Sequence, residues 1–412
     1  MQYERLRNLV TGLHANPFYK RKLEEAGVKA EDIDSLDALA QLPFTTKSEL
    51  LASQLESPPF GDLLSHPLSE YTYFHQTSGT TGKPLKWLDT EESWQGWTEC
   101  WQYVYTGAGV TSDDIVYLPF SFGPYISHWI AIDGARRLGA LCISGAGMSS
   151  ERRLEMILDN RCTVLVCTPT YALRLAEVAR EQQIDIRGSN IRTLINAGEP
   201  GANVPNVKRA IETAWGARCY DHVGATEVGA WGFTCQADGA GMHLNEHDFV
   251  FEVIDPESTQ PAAEGERGEL VITNFGRQCM PLLRYRTGDL VELTNEGCAC
   301  GRTFARIKGG VLGRADDMFV VRGVNLYPSA IDNLIRALPE IVEYEVNIQR
   351  IRGMDALTIR VETNGDTDFD QAEARILAAF RDTFNIGVSV AEAAAGSLPR
   401  YELKARRYKR ID

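Results

Sequence analysis

Thr77, Ser78, Gly79, Thr80, Thr81, Gly82 and Lys83 form an unbroken run of small, hydroxylated and finally cationic residues, closed by Pro84. A loop of this composition can grip a polyphosphate. Glycines let the backbone come close, hydroxyls and N–H groups donate hydrogen bonds, and the lysine adds a point charge. It is not a Walker A loop: two residues separate Gly79 from Gly82-Lys83 where that motif has four, and Pro84 stands where a Ser or Thr would hold magnesium. The spacing counts against a P-loop kinase or ATPase. A second group able to do chemistry is Cys235, His243, Cys298 and Cys300. Four soft or borderline ligands suit tetrahedral zinc, and Cys298-Ala299-Cys300 puts two thiolates on one turn. Zinc there would tie the 232–247 loop to the 298–302 turn, in a structural role, since four protein ligands leave no position for a substrate. Cys219, Cys279 and His247 are rival ligands, and separately buried cysteines are the plain alternative.

These residues need a scaffold. A chain of 412 residues with 44% hydrophobic and 24% charged residues is a soluble globular protein with one large and one small domain. Forty-two basic against 56 acidic residues, a formal charge of −14, argue against a nucleic-acid partner. No apolar run is long enough to span a membrane, and MQYERLRNLVTGLHANPFYKRKLEEAG lacks the apolar core of a secretion signal, so a cytoplasmic location is expected. Nine cysteines scattered from Cys100 to Cys300 read as reduced thiols rather than a disulfide framework.

Short apolar strands alternate with helical patterns through the first three hundred residues. DDIVYLPF (113–120), LCIS (141–144), TVLVC (163–167) and RTLINAG (192–198) read as strands, with helices such as ERRLEMILDN and ALRLAEVAREQQ between them. The fold class is therefore α/β, and the small-residue ends of those strands are where ligands are expected. From Glu246 to Leu293 the period changes to two (FVFEVID, GELVITN, DLVEL), which predicts an antiparallel β subdomain. Past Gly313 the pattern predicts a separate, small α+β domain. The expected domains are 1–313 and 314–412, with the hinge at Asp316. Trp94, Trp97 and Trp101, at helical spacing, read as core.

TSGTTGKP resembles the phosphate loop of the adenylate-forming superfamily, which contains acyl-CoA synthetases, luciferases and peptide-synthetase adenylation domains. NAGEP (196–200) and HVGATEVG (222–229) are similar to that family's adenine-pocket and magnesium motifs. YRTGDL (285–290) is similar to its ribose motif, and GRADDMFVVRGVNLYPS to its hinge and following loop. The opening ERLRNLV, SFGPYISHWIAIDGARRLGA, GVNLYPSAID and LPRYELKARR resemble the phenylacetate–CoA ligase branch. Five motifs in register span most of the chain.

The resemblance implies an ATP-dependent carboxylate–CoA ligase. Acid and ATP would give an acyl-adenylate and pyrophosphate, and coenzyme A would then displace AMP. It places Thr77, Ser78, Gly79, Thr80, Thr81, Gly82 and Lys83 at the ATP phosphates, with Thr80 among the catalytic residues. Glu227 would hold Mg2+, a hard cation that takes one or two protein carboxylates. Ala197, Gly198, Glu199, Pro200, Asp221, His222, Val223, Gly224, Ala225 and Thr226 would line the nucleotide. Asp289 would accept the ribose hydroxyls, with Arg286 and Arg302 as supporting cations. Val223 stands where the family usually has a Tyr against adenine; His222 or Tyr220 could substitute. Glu402-Leu403-Lys404 stands for the family's Glu-Gly-Lys, making Lys404 the catalytic lysine and Lys409 its neighbouring rival. Gly323 would border the coenzyme A channel. Some members of the branch carry a similar Cys and His set for structural zinc. Phe122, Tyr125, His128, Ala230 and Trp231 would wall the acid pocket, favouring a planar aryl or arylacetic acid such as phenylacetate, a benzoate or an anthranilate. Alternatives are transfer of the acyl group to a carrier-protein thiol and a non-catalytic nucleotide-binding relative. A homodimer is an expected assembly; a membrane is not an expected partner.

Overall fold

The computed structural model describes residues 2–411 except 30, 31, 78–82, 121, 122, 238–240, 316, 322, 323, 352, 353 and 403. Ser78, Gly79, Thr80, Thr81, Gly82, Phe122, Asp316 and Gly323 thus lie outside the described residues. The chain divides into two compact units, Met1–Met148 with His222–Gly310, and Ser149–Asp221 with Val311–Asp412.

The first unit begins with helices α1 (Gln2–Leu13), α2 (Pro17–Ala26) and α3 (Lys47–Glu56). Asn16 caps α2, Pro17 fixes its first turn, and Gly27, at φ 67°, ends it. A reciprocal capping box between Thr46 and Glu49 starts α3. The hairpin β1 (Tyr71–Gln76) and β2 (Lys86–Thr90) follows, then α4 (Glu91–Gly107), β3 (Ile115–Leu118), α5 (Ile126–Leu138) and β4 (Leu141–Ser144). β3 and β4 pair in parallel, joined through α5. The α4 stripe is core as its spacing requires: Trp94, Trp97 and Trp101 are at most 4% exposed.

The second unit begins with α6 (Ser150–Asp159), β5 (Val164–Cys167), α7 (Pro169–Glu181), β6 (Thr193–Asn196), α8 (Pro205–Trp215) and the start of β7 (Arg218–Ala225). β5 pairs with β6, and β6 with β7, all in parallel. Every residue of β5 and β6 is buried, as unbroken apolar strands in a helix-covered parallel sheet must be.

From His222 the chain returns to the first unit. There the end of β7 pairs antiparallel with β8 (Gly229–Phe233), followed by β9 (Met242–Leu244), β10 (Phe249–Ile254), β11 (Arg267–Asn274), β12 (Leu282–Thr294) and β13 (Arg306–Ile307). The antiparallel subdomain expected from period two is β10, β11 and β12. One detail differs from expectation. The expected segment DLVEL starts at Asp289, whereas Arg-Thr-Gly-Asp is a bulge inside the 13-residue β12 that begins at Leu282. Between the pairs Glu269↔Leu290 and Val271↔Arg286, Thr287, Gly288 and Asp289 stand opposite the single residue Leu270. Gly288, at φ 76°, takes the left-handed conformation this needs.

The second unit is completed by β14 (Gly313–Arg314), β15 (Phe319–Val321), β16 (Val324–Leu326), α9 (Pro328–Ile335), β17 (Ile341–Ile351), β18 (Met354–Thr363), α10 (Phe369–Phe384), β19 (Ser389–Glu392) and β20 (Tyr408–Ile411). The sheet order is β19-β18-β17-β20. Its apolar face packs with α9 and α10 around Ile331, Ile335, Val346, Ile359, Ile376 and Phe380. Among the described residues no helix is long and apolar enough to cross a membrane.

Candidate active site

The phosphate-loop segment is the connection of the β1–β2 hairpin. Thr77 N–H donates to Leu85 O at 3.0 Å, and Leu85 N–H donates to Thr77 Oγ1 at 3.0 Å. This doublet closes the loop at its base, and Lys83 emerges exposed just before it. Gln76 N–H donates to Pro124 O at 2.8 Å, so the segment carrying Tyr125 is tied to the same base. Tyr125 is 41% exposed at the start of α5. His128, Ala230 and Trp231 are at most 3% exposed. His128 packs edge-on against Phe120, and Trp231 lies against Phe251.

Ala225, Thr226 and Glu227 begin the turn between β7 and β8. Glu227 is 5% exposed, with its Oε1 3.1 Å from the Lys47 ammonium and 3.5 Å from the Tyr285 hydroxyl. The turn is held from behind by Arg277, which donates to Thr226 O at 2.6 Å and to Glu227 O at 3.2 Å. Arg277 is itself fixed by Asp89, through bonds of 2.8 and 2.6 Å, and lies against the rings of Trp87 and Trp97. A buried charge is tolerable only when paired and hydrogen-bonded, and this guanidinium makes four hydrogen bonds, two of them to a carboxylate. Sequence reasoning missed Lys47 and Arg277. Lys47 lies 180 residues from Glu227, and Arg277 marks no motif.

Asp289 sits half-buried on the β12 bulge, its N–H donating to Thr287 Oγ1 at 3.0 Å. Arg286 is committed to Glu269 and to Pro256 O. Arg302 lies over the Phe233 ring, beside the cysteine cluster. His222 contacts the Trp101 ring, and its Nδ1 lies 3.1 Å from Gly232 O. Val223 pairs with Gly232 across β7 and β8.

In the second unit Ala197, Gly198, Glu199 and Pro200 leave the carboxyl end of β6, with Gly198 at φ 90°. Asp221 ends the parallel part of β7 and accepts from Ala202 N–H, Asn203 N–H and Asn203 Nδ2 at 2.6, 2.7 and 2.9 Å. Burial nevertheless pushes its pKa up to about 6. Its carboxylate therefore shapes the 201–203 turn behind the expected nucleotide motif. Lys404 is exposed on the segment leading into β20. Lys409, the rival, lies in β20 and pairs with Glu345.

The ligand atoms of Cys235, His243, Cys298 and Cys300 all lie within 4.8 Å of one another. Cys235 Sγ is 3.6 Å from Cys298 Sγ, and Cys300 Sγ is 3.4 Å from His243 Nε2. A tetrahedron with metal–sulfur bonds of about 2.3 Å has edges of about 3.8 Å, so the four fit zinc. Burial, with Arg302 and Arg306 adding to it, lowers the His243 pKa to about 4 and keeps its imidazole neutral, as a ligand must be. The rivals lie elsewhere: Cys219 bonds to Asn196, Cys279 faces Leu88 O, and His247 contacts Asp248.

Residues 14–281 match the AMP-binding enzyme family, and residues 323–410 match the AMP-binding enzyme C-terminal domain. The chain belongs to the AMP-binding enzyme family. Phenylacetate-coenzyme A ligase from Thermus thermophilus is 34% identical over 368 residues, covering 88% of this chain and 81% of that protein. The Escherichia coli enzyme of the same name is 30% identical over 418 residues, covering 99% and 93%. Within the family this chain is therefore an AMP-forming acid–CoA ligase similar to the phenylacetate–CoA ligases. A solved 2-hydroxyisobutyryl-CoA ligase in the postadenylation state, bound to an acyl-AMP, is 32% identical and aligns with a TM-score of 0.94 over 99% of this chain and 88% of that one. The same ligase in the thioesterification state, with coenzyme A, aligns at 0.74.

Proposed function

We propose that this AMP-binding enzyme activates a small aryl or arylacetic acid, phenylacetate being the first candidate. The observation that carries the reading is the 30–34% identity to proteins named phenylacetate-coenzyme A ligase along most of the chain. A carboxylate oxygen attacks the α-phosphate of ATP and pyrophosphate leaves; the thiol of coenzyme A then attacks the acyl carbon and AMP leaves. Little covalent chemistry is asked of the protein, so its work is positioning and charge neutralisation. Ser78–Lys83 donate to the phosphates, with Thr80 and Lys83 contributing a hydroxyl and a cation. Glu227 is the residue to hold Mg2+, which neutralises phosphate charge when bound. Its carboxylate already faces one cation, the Lys47 ammonium. Asp289 accepts from the ribose. Lys404 bridges acid and α-phosphate in the first step. The 314–412 domain then turns about Asp316 and presents the Gly323 loop for the thiol step.

Cys235, His243, Cys298 and Cys300 hold zinc in a closed structural site. It braces the turn at 298–301 and takes no part in the reaction.

A second acid class has its own support. The 32% identity to a 2-hydroxyisobutyryl-CoA ligase over 99% of this chain makes a short branched hydroxy acid the second candidate. Incubating the protein with ATP, Mg2+, coenzyme A and a panel of aryl, arylacetic and short hydroxy acids, with products followed by mass spectrometry, tests both. Acyl-CoA from phenylacetate or a benzoate supports the first reading, and acyl-CoA from hydroxy acids alone supports the second. Adenylate without thioester directs attention to a carrier-protein thiol, and no product from any acid contradicts the proposal.

A further inference from the structure

We infer that Glu199 is a positioning residue for Lys404, and that with Arg153 and Glu177 it forms a latch holding the lysine-bearing segment in place for the adenylation half-reaction. The inference rests on the reading of Lys404 as the catalytic lysine.

Lys404 is exposed, and four rotatable bonds separate its charge from the backbone. A side chain that free delivers charge to one phosphate only if its main chain is fixed, because a misplacement of about 1 Å can cost about 100-fold in rate. The fixing is done by its neighbours. Ala405 N–H donates to Glu199 Oε2 at 2.9 Å, one residue beyond the lysine. Glu199 Oε1 accepts from Thr170 N–H, also at 2.9 Å, in the first turn of α7. The carboxylate thus bridges a helix N-terminus, where negative charge is favoured, to the main chain beside Lys404.

On the other side, Glu402 accepts from Arg153 at 3.0 Å. Arg153 is 1% exposed, and Tyr171 accepts its second bond at 2.6 Å. Arg400 makes a forked pair with Glu177, at 3.0 to 3.2 Å, and reaches Glu362 at 2.7 Å. Arg407 donates to Thr170 Oγ1 at 3.3 Å and pairs with Glu343 at 2.7 Å.

These contacts fall into two kinds. Arg400–Glu362 and Arg407–Glu343 join residues of the C-terminal segment to each other and persist through any rigid movement of it. Glu199–Ala405, Arg153–Glu402, Arg400–Glu177 and Arg407–Thr170 reach back to 149–221, as do the bonds between Asn206 and Asn333, and all must break if that segment turns away. Of these, the contacts of Glu199, Glu177 and the buried Arg153 are made to residues within four positions of the lysine, and they hold its main chain. Withdrawing Glu402 takes one carboxylate away from the buried Arg153, which opposes release. Glu199 was expected among the nucleotide-lining residues, yet both of its oxygens are occupied by main-chain donors.

The test separates the half-reactions: acid-dependent pyrophosphate release for adenylation, and acyl-CoA formation from supplied acyl-adenylate for thiolation. Glu199→Ala removes hydrogen bonds to a charged acceptor and is expected to lower kcat for adenylation about tenfold, with KM for ATP changed less than about twofold. Thiolation is expected to keep its rate. Glu402→Gln, a change on an exposed side chain, should shift adenylation in the same direction by a smaller factor. In a Lys404→Ala background Glu199→Ala should add less than about a twofold loss, since residues acting as one unit are not additive. A raised KM for ATP with kcat unchanged would show that Glu199 serves the nucleotide, and overturn the inference. An equal fall of both half-reactions together with the melting temperature would overturn it too, as would a full tenfold loss in the Lys404→Ala background. Lys404→Ala that adenylates normally would remove the underlying reading itself, and is distinguishable from the others.

Discussion

Arg277 donates a 2.6 Å hydrogen bond to the main-chain carbonyl of Thr226. A buried guanidinium thereby orients the turn that presents Glu227. The order of dependence runs from Asp89, which fixes Arg277, to the turn and then to the carboxylate proposed to hold magnesium.

Removing this support should be costly. Arg277→Ala leaves Asp89 buried without its partner and should destabilise the protein by about 3–5 kcal/mol. Arg277→Lys keeps a charge but not the fork, and should lose about 1–3 kcal/mol. Urea denaturation checks both values, and equal stability of the two variants would contradict the geometry.

Lys47 should act on the charged end of the reaction. Its ammonium is 3.1 Å from Glu227 but its side chain is 43% exposed. Because Glu227 is buried while Lys47 is half-exposed, Lys47→Ala should lower the urea midpoint modestly, and by less than Arg277→Ala does. Adenylation, measured as pyrophosphate release, should fall several-fold and show an altered dependence on magnesium concentration. A large loss of stability with normal magnesium dependence would assign Lys47 to structure alone.

His75 makes stability depend on pH. It is 3% exposed, stacks on Trp94, and burial lowers its pKa from 6.5 to about 4. The unfolded chain binds this proton near pH 6.5 and the folded chain only at about 4, so stability is fully present above 6.5 and is lost as pH falls towards 4. The loss is about 3 kcal/mol at most. His75→Phe, which preserves the stacking, should flatten the acid limb of a plot of unfolding free energy against pH. An unchanged limb would mean His75 titrates normally.

The zinc proposal predicts one metal per chain by elemental analysis. Cys298→Ser should lower metal content and melting temperature together, while the rate of the remaining folded protein changes little. A chain that retains its melting temperature after exhaustive chelation would contradict a structural metal.

Much of this was legible in the sequence where the signal is local. The apolar runs at 163–167 and 192–198 became the buried parallel strands β5 and β6, and the Trp stripe became core. Cys235, His243, Cys298 and Cys300 converge as their residue types suggested. What escaped depends on partners distant in the chain. Tyr408–Ile411 carries no strand pattern in the sequence and yet is a strand, because parallel pairing with β17 supplies its hydrogen bonds. The β12 bulge hid the part of the strand before Asp289, since Gly288 signals a left-handed residue in a turn and in a bulge alike. The bonds from Glu199 and Arg153 to residues 402–405 span more than two hundred positions, and no pattern in one sequence announces them.

The most direct measurement uses a phenylacetate, or whichever panel acid gives thioester, labelled with 18O in its carboxylate, and follows the label by mass spectrometry of the nucleotide product. Attack of the carboxylate on the α-phosphate, followed by thiol displacement, must leave one 18O in the phosphate of AMP. Finding it there is the predicted result. Unlabelled AMP, or label in inorganic phosphate beside ADP, would contradict an acyl-adenylate and with it the central account.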